Sequence, residues 1–305
     1  MRISVVIPTF NAGDDLAALL ERLRAQKPAP PDEIIVIDSG SKDATCSVAE
    51  KAGAKVIRWD KPFNHGLTRD AGIRAASGDI VFLTVQDALP ASDDFLARIS
   101  AHFHDPSVAG VSGRQLPPED GPLELQIKAQ LDAQNEQPAR VSLQDHQGYA
   151  NDSPAQRLEL YRFDNVCSAL RRSVWETIPF GECRYAEDLL WARRVLEAGH
   201  TVVRDPGAAV VHAHRRRFFY ELRRGLLDAW VLDEQFGYRY RTREKLDRAR
   251  AIASPRAKKA GMSARLGAIK TYAAHALARW FYTACRLMLP SRSRRRLLES
   301  LTRGI

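Results

Sequence analysis

Short apolar runs alternate with amphipathic segments from the start of this chain. The apolar runs, which we interpret as buried strands, are residues 3–7, 33–38, 55–58, 80–83 and 108–113. Helical spacing fills the gaps between them, at residues 14–26, from about residue 43, and at 67–77 and 95–103. Strands separated by helices predict βαβ units and a mainly parallel α/β sheet. Since such sheets bind ligands beyond the carboxyl ends of their strands, the residues after each run are the first candidates for chemistry.

The second half of the chain is less regular. Residues 114–160 are polar and rich in Gln and Pro, which predicts a loop or lid region with one helix at about 122–135. A helix is predicted at 187–198, ending at Gly199, and two short strands at 202–204 and 209–211. From Phe218 the pattern is helical and basic. We therefore predict an α/β catalytic domain at 1–215 and a basic helical C-terminal region at 216–305.

Composition narrows the class of protein. Apolar residues make up 45% of the 305, which supports a globular core. The four cysteines lack the spacing of a zinc site or a disulfide framework, which favours a reducing compartment. The sequence shows no cleavable signal segment and no run of about 18 apolar residues, so we expect no membrane-spanning helix. Residues 215–305 contain 23 Lys and Arg against 7 Asp and Glu, a balance of +16, so residues 1–214 carry −7 of the total of +9.

Two common nucleotide-binding loops are missing from the sequence. Neither GxGxxG after the first strand nor GxxxxGK[ST] occurs, which argues against dinucleotide-dependent redox enzymes and P-loop NTPases. A sheet without these loops commonly holds a diphosphate through a metal ion, which carboxylates bind and which bridges the phosphate oxygens.

Two strand ends offer a pocket for a nucleotide. The first predicted strand is followed by Pro8, Thr9 and Asn11, and the second ends in Asp38, with Ser39 next. A carboxylate at this place can accept hydrogen bonds from a base or a ribose, and small residues let the backbone approach a ligand. An ordinary turn that caps the next helix explains either segment equally well.

Candidate ligands for a diphosphate and a metal ion lie farther along the chain. Gln86 and Asp87 follow the fourth strand, where a magnesium or manganese ligand would lie. Arg69 is one turn into a helix, where backbone N–H groups and a guanidinium suit a phosphate. His212 ends a strand and would complete a mixed site with Asp87. Each residue also has a structural interpretation: Asp87 could be part of a surface turn, Arg69 a surface arginine and His212 a histidine of the core.

Glu187 and Asp188 stand together at a predicted helix start. One interpretation is that they only complement the helix dipole. The other is that one of them is a general base, which a sugar hydroxyl needs because it is a poor nucleophile.

Taken in order, six segments resemble the family 2 glycosyltransferases of GT-A fold. They are SVVIPTFN, VIDSGSKD, NHGLTRDAG, FLTVQDALP, YAEDLLWARRVLEAG and VVHAH, and they cover about residues 1–215. The resemblance implies an inverting transfer of a sugar from a nucleotide-sugar donor to an acceptor. It also implies that the segment from Asp164 to Ala169 is a strand on the acceptor side.

The resemblance also implies roles for the candidate residues. Asp38 resembles the acid that contacts the nucleobase and ribose, and Arg69 the arginine near the diphosphate. Asp188 resembles the catalytic base, with Glu187 as its neighbour. The residues that would share the donor pocket are Pro8, Thr9, Asn11, Ser39, Gln86 and Asp87. The ligands of Mg²⁺ or Mn²⁺ would be Asp87 and His212.

One departure from the family pattern narrows the subgroup. The family usually has Asp-x-Asp after the fourth strand, whereas this chain has Thr-Val-Gln-Asp-Ala, so the first acid is missing. His212 and diphosphate oxygens would then have to complete the metal shell. Together with the segment FNHGLTR, this motif resembles the rhamnosyltransferase-like branch that builds bacterial O-antigen and exopolysaccharide, where the usual donor is dTDP-L-rhamnose.

The C-terminal region and the partners leave alternatives open. A basic helix with aromatic residues at 262–290, followed by SRSRRR, suits an anionic membrane surface and a lipid-linked saccharide acceptor; packing on the catalytic domain or in a homodimer explains it equally well. We expect no nucleic acid partner, because no recognition motif is present. We expect a cytoplasmic protein. If the basic helix binds the membrane, the protein would be held peripherally on its inner face.

Two functions other than glycosyl transfer stay open. The chain could be a sugar-1-phosphate nucleotidyltransferase or a catalytically inert partner in a polysaccharide assembly complex.

Overall fold

The computed structural model describes residues 1–132, 137–214, 217–239 and 262–302. These residues belong to two compact units. The first unit combines Met1–Leu116 with Asn135–His212, and the second combines Pro117–Gln134 with Ala213–Ile305. The domain division at 215/216 stays a prediction.

The first unit is built on a mixed sheet. Over the described residues its strands are β1 (Ile3–Thr9), β2 (Glu33–Asp38), β3 (Lys55–Arg58), β4 (Ile80–Thr84), β5 (Leu89–Pro90), β6 (Val108–Leu116), β7 (Ala139–Val141), β8 (Cys167–Arg171) and β9 (Thr201–Val211). Their order is β3-β2-β1-β4-β8-β6-β9-β5, and β7 pairs with β9. Strands β1 to β4 are parallel to one another, as are β6 and β9. β8 runs antiparallel between β4 and β6.

Helices flank this sheet. They are α1 (Gly13–Arg24), α2 (Thr45–Lys51), α3 (His65–Arg74), α4 (Phe95–Ala101), α6 (Pro154–Leu160), α7 (Arg172–Thr177) and α8 (Glu187–Glu197). The apolar face of α1 packs on Val5 and Ile7 of β1, whose side chains are fully buried. α3 lies against Val6, so close that a Cβ on Gly72 would be 2.3 Å from Val6 Cγ1. Since both faces of β1 are covered, the strand is a continuous apolar run, as expected for buried parallel strands.

The prediction of two short strands at 202–204 and 209–211 is wrong, because both belong to the single strand β9. The intervening Asp205-Pro206-Gly207 has the composition of a turn. Here the buried Asp205 carboxylate accepts hydrogen bonds from the Gly207 backbone and from Arg98. These bonds hold an irregularity within the strand, and the pairing with β6 shifts register at this place.

The second unit is helical over its described residues. Its helices are α5 (Leu123–Asp132), α9 (Phe218–Phe236), α10 (Met262–Met288) and α11 (Ser291–Leu301). The helix expected at about 122–135 is confirmed as α5, and its Leu123 and Ile127 pack on Ala268 of α10. α9, α10 and α11 share an apolar core that includes Leu226 and Tyr282. None of the helices within the described ranges is long and apolar enough to cross a membrane.

Candidate active site

The strand ends of the first unit meet at one edge of the sheet. Thr9 pairs with Asp38 at the ends of β1 and β2, and Thr84 at the end of β4 pairs with Cys167, where the antiparallel β8 begins. Residues that follow β4 and residues that precede β8 therefore lie at the same edge. β6 and β9 also end there, because β6 is antiparallel to β8 and parallel to β9. This is the edge at which the sequence predicted the chemistry.

Asp38 lies in a tight polar turn. Its carboxylate accepts hydrogen bonds from the Gly40 and Ser41 amides at 3.1 and 3.0 Å, from the Ser41 hydroxyl, and from Thr9 Oγ1 at 3.3 Å. Burial alone would raise the pKa of Asp38, but the hydrogen bonds from Ser41 and its neighbours outweigh burial and lower it. Ser39 Oγ is buried and has no hydrogen-bond partner in the described structure. The turn therefore holds an ionised carboxylate beside an unsatisfied hydroxyl, and contact of either group with a nucleoside stays a prediction.

Asn11 and Gln86 shape the neighbouring backbone. Asn11, after Pro8 and Thr9, has a φ of 48°, and its side-chain oxygen accepts a hydrogen bond from the Lys42 amide at 2.8 Å. Gln86 Oε1 accepts from the Phe10 amide at 2.8 Å, and Gln86 Nε2 donates to the Phe10 carbonyl at 3.4 Å. Gln86 thus ties the loop after β4 to the loop after β1. Contact of these residues with the donor stays a prediction.

Asp87 and His212 lie side by side, from the loop after β4 and the end of β9. His212 Nε2 is 3.4 Å from Asp87 Oδ1, and their side chains are 9% and 21% exposed. Two ligand atoms of one divalent cation, each bonded at about 2.1 Å, lie about 3 to 4 Å apart. An imidazole nitrogen and a carboxylate oxygen also form a donor set that Mn²⁺ and Mg²⁺ accept. The pair therefore fits a divalent metal ion.

The Nδ1 side of His212 contacts residues whose role the sequence did not predict. His212 Nδ1 is 2.8 Å from Gln115 Oε1, and Gln115 Nε2 donates to the Asp164 carboxylate. Asp164 also accepts from the Val166 amide at 3.0 Å. A polar chain thus leads from the loop before β8 through β6 to the end of β9.

Arg69 and Glu187 form a buried ion pair. Arg69 Nη1 is 3.1 Å from Glu187 Oε1, and the two side chains are 6% and 7% exposed. Arg69 also donates to the His65 carbonyl, and Asn165 Nδ2 donates to Glu187 at 3.1 Å. Burial by itself would raise the pKa of Glu187, but the charges of Arg69 and His65 and the bond from Asn165 lower it. The contact of Arg69 with a diphosphate stays a prediction, since its guanidinium already pairs with this acid.

Asp188 is the next residue and has the opposite electrostatics. Burial raises the pKa of Asp188 well above its usual range, and the negative charges of Glu187 and Asp164 raise it further. Its side chain is half-buried at the first turn of α8. Two adjacent acids whose environments move their pKa values apart mark a candidate acid–base site.

The NHGLTRDAG segment holds the loop that leads into α8. Asp70 is buried and accepts hydrogen bonds from Trp175 Nε1 and from the Phe180 and Gly181 amides, at 2.6 to 3.0 Å. Asn64 Oδ1 accepts from the Cys183 amide at 3.1 Å. This segment therefore does more than carry Arg69, because it fixes the backbone before Glu187 and Asp188. No local signal reveals these contacts, since the partners are more than a hundred residues apart.

Comparison with known proteins identifies the family. The sequence pattern of glycosyl transferase family 2 matches residues 4–177. The chain therefore belongs to glycosyl transferase family 2, and the predicted class of enzyme, a nucleotide-sugar-dependent glycosyltransferase, is confirmed.

Two relatives are rhamnosyltransferases by name. The O-antigen chain rhamnosyltransferase RfbN of Salmonella typhimurium is 34% identical over 220 residues, which are 70% of this chain and 67% of the relative. The O-antigen chain rhamnosyltransferase WbaN of Salmonella anatum is 33% identical over 219 residues, 69% of this chain and 66% of the relative. Each match spans about two thirds of the relative's length.

A solved structure shows the same fold. The mannosyltransferase PcManGT of Pyrobaculum calidifontis, in complex with GDP-Man and Mn²⁺, has a TM-score of 0.56 with 19% identity. The match covers 99% of this chain and 84% of that chain. At this identity the likeness concerns the fold alone, and it confirms the predicted GT-A type α/β sheet with C-terminal helices.

Proposed function

We propose that this chain transfers L-rhamnose from dTDP-L-rhamnose to a saccharide acceptor of a bacterial polysaccharide of the O-antigen kind, with inversion at the anomeric carbon. The observation that carries this proposal is the identity of 34% with an O-antigen chain rhamnosyltransferase over 70% of the chain. The site supports it, because Asp38 offers a candidate acceptor for a nucleoside, residues 187–188 a candidate acid–base pair, and Asp87 with His212 a pair that fits a metal ion.

In the proposed reaction, Asp188 accepts the proton of the acceptor hydroxyl. The hydroxyl oxygen forms a bond to the anomeric carbon from the face opposite the nucleotide, and the bond to the diphosphate oxygen breaks. Because burial raises the pKa of Asp188, its ionised form is a stronger base than an exposed aspartate. Glu187 stays ionised in its pair with Arg69 and keeps a negative charge next to the base.

Asp87 and His212 would hold the metal ion, which when bound neutralises charge on the departing diphosphate. Asp38, Thr9 and Ser39 would hold the nucleoside at the neighbouring strand ends. A role of the basic run 215–217 at the diphosphate is a further prediction from the sequence, and Arg215 and Arg216 lie outside the described residues.

The test is a donor panel with the purified chain. We expect dTDP-L-rhamnose to raise the midpoint of thermal unfolding more than UDP-sugars or GDP-mannose do, and to release free dTDP in the presence of an acceptor. Asp188→Asn serves as the matched variant, since it keeps the size of the side chain but cannot accept the proton. Preference for another donor would refute the rhamnose assignment. Release of pyrophosphate would indicate a nucleotidyltransferase. Absence of turnover with every donor would indicate a catalytically inert partner.

We also propose that α10 rests on an anionic membrane surface, where a lipid-linked acceptor would be presented. α10 has a buried apolar face toward α9, and its opposite face carries a second, exposed apolar stripe. The stripe consists of Met262, Leu266, Ile269, Leu277, Trp280 and Leu287. Trp280 is 68% and Leu287 is 76% exposed.

Charge favours a membrane as the partner of this stripe. α10 contains Arg265, Lys270, Arg279 and Arg286 and no acidic residue, and α11 adds four arginines within residues 292–296. An apolar face with tryptophan beside many cations is typical of helices that lie in a lipid interface. A second copy of the same cationic helix would repel this one, so charge disfavours a homodimer through the stripe. In this proposal the chain would be held peripherally on the inner face of the cytoplasmic membrane.

Vesicle co-sedimentation tests the membrane proposal. We expect binding to phosphatidylglycerol vesicles, weaker binding to phosphatidylcholine vesicles, and loss of binding at high salt. Trp280→Ser should weaken binding about tenfold, since a buried aromatic side chain contributes about 1.5 to 3 kcal/mol. Phe219→Ser is the matched control, because Phe219 is 73% exposed but lies on α9 outside the stripe. Absence of vesicle binding, or a lipid-free dimer that Trp280→Ser abolishes, would refute the proposal.

A further inference from the structure

Gln115 lies between His212 and Asp164, and its contacts favour one orientation of its amide. The NH₂ group faces Asp164 and donates to the carboxylate, which accepts hydrogen bonds. The carbonyl oxygen Oε1 then faces His212 Nδ1, at 2.8 Å. Since that oxygen only accepts, Nδ1 must carry the proton.

In the neutral imidazole ring, a proton on Nδ1 determines the state of Nε2. A neutral imidazole with its proton on Nδ1 has a lone pair on Nε2. Nε2 is the atom that lies 3.4 Å from Asp87 Oδ1. The ring therefore turns a nitrogen lone pair toward a carboxylate, which is the arrangement that a cation between them stabilises.

We propose that Gln115 is a positioning residue that holds His212 in its Nδ1–H tautomer, and that Asp164 fixes the orientation of Gln115. Together they favour the form in which Nε2, beside Asp87, carries the lone pair that can bind a divalent cation. This inference rests on the proposed metal site but not on the identity of the sugar or the acceptor.

The opposite orientation shows why Asp164 is needed. If the amide of Gln115 turned over, its NH₂ group would face Nδ1 and the proton would move to Nε2. His212 would then donate to Asp87 and close the site with a hydrogen bond. That orientation also brings the amide oxygen against the Asp164 carboxylate, where two acceptors meet without a proton. Asp164 thus disfavours the closed form.

The tautomer can be measured without metal or substrate. In the metal-free protein labelled with ¹⁵N-histidine, we expect Nδ1 of His212 to have the shift of a protonated ring nitrogen. Nε2 should have the shift of an unprotonated one. In Gln115→Leu, His212 should change to the Nε2–H form, and in Asp164→Asn it should populate both forms. An Nε2–H tautomer in the wild-type protein would overturn the proposal.

Metal affinity gives an independent readout. Mn²⁺ alone should broaden the His212 resonances, and Gln115→Leu should weaken that binding about 10- to 100-fold, as the loss of a partner of a metal-binding histidine does. Gln144→Leu is the matched control, since Gln144 is an exposed glutamine of the same unit and should change neither readout. Unchanged Mn²⁺ affinity in a folded Gln115→Leu protein would also overturn the proposal. Failure of the rhamnosyltransferase assignment would leave both results as expected.

Discussion

The buried pair of Arg69 and Glu187 makes the most quantitative prediction. Both side chains are less than a tenth exposed, and the charged atoms are 3.1 Å apart. Removing one partner leaves an uncompensated charge in the interior, which typically costs about 3 to 5 kcal/mol. Arg69→Met and Glu187→Gln should therefore each lower the free energy of unfolding by about that amount. At about 2 °C per kcal/mol for a chain of this size, the midpoint falls by about 6 to 10 °C.

A double-mutant cycle separates the pair from its surroundings. The double variant Arg69→Met with Glu187→Gln buries no net charge, so it should be far less destabilised than the sum of the single variants. Thermal unfolding and urea titration of the four proteins at neutral pH would measure the difference. The reasoning would be contradicted if the two losses in free energy of unfolding simply added in the double variant. It would also be contradicted if either single variant had the same unfolding midpoint as the wild type.

The same proteins test the pH dependence and the predicted phosphate contact. The pKa of Glu187 is lower in the folded chain than in the unfolded one, so the pair's contribution is complete above about pH 4.3. This contribution is lost as the pH falls through the lower pKa that Glu187 has in the folded chain. The difference in free energy of unfolding between the wild type and Glu187→Gln should therefore shrink in that pH range. A stabilisation by dTDP that persists in Arg69→Met would contradict the predicted role of Arg69 at the diphosphate.

Three further predictions concern the rest of the site. Asp188→Asn should abolish turnover, keep donor binding by calorimetry, and raise the midpoint of unfolding at neutral pH. The rise is expected because the folded state resists ionisation of Asp188 above about pH 3.9, where the unfolded chain is already ionised. Gly66→Ala should lower both stability and activity, since its Cβ would be 2.0 Å from the Gly181 carbonyl oxygen; Gly267→Ala, with nothing within 4 Å, should be neutral or slightly stabilising. Asp87→Asn should weaken Mn²⁺ binding and make activity depend on higher metal concentration, and equal affinity in both proteins would exclude Asp87 as a ligand.

The parts of the fold that the sequence predicted share one property. Strands β1, β2 and β4 are covered on both faces, so each is a continuous apolar run with a polar residue where it ends. The sequence therefore predicted the end of each strand and the candidate residue at that end from the same pattern. β5 and β7 have only two and three residues, too few for any periodicity. β9 was divided in two because a buried aspartate holds a turn-like sequence within it.

The missed residues of the site are those whose partners are distant in the chain. Gln115 and Asp164 are 49 residues apart, and His212 is 97 residues from Gln115. Asp70 holds an amide 111 residues away. Each of these residues is polar, and Asp70 and Asp164 lie within segments that were already candidates. Nothing in their local sequence indicates which of the many polar side chains in a loop or strand would meet, because that is decided by the order of strands in the sheet.

The altered motif after β4 determines which side chains are left to bind a metal ion. The position of the missing first acid is taken by Val85, which packs against the apolar core. Gln86 is turned to the backbone of Phe10, and Asp87 remains as the acid of this loop that lies beside His212. One carboxylate and one neutral imidazole carry half the negative charge of a paired-acid site. Such a pair attracts a divalent cation less strongly by itself, so diphosphate oxygens contribute a larger share of the attraction. In the proposed metal site, the loss of the acid would make binding of the metal ion depend more strongly on the diphosphate of the donor.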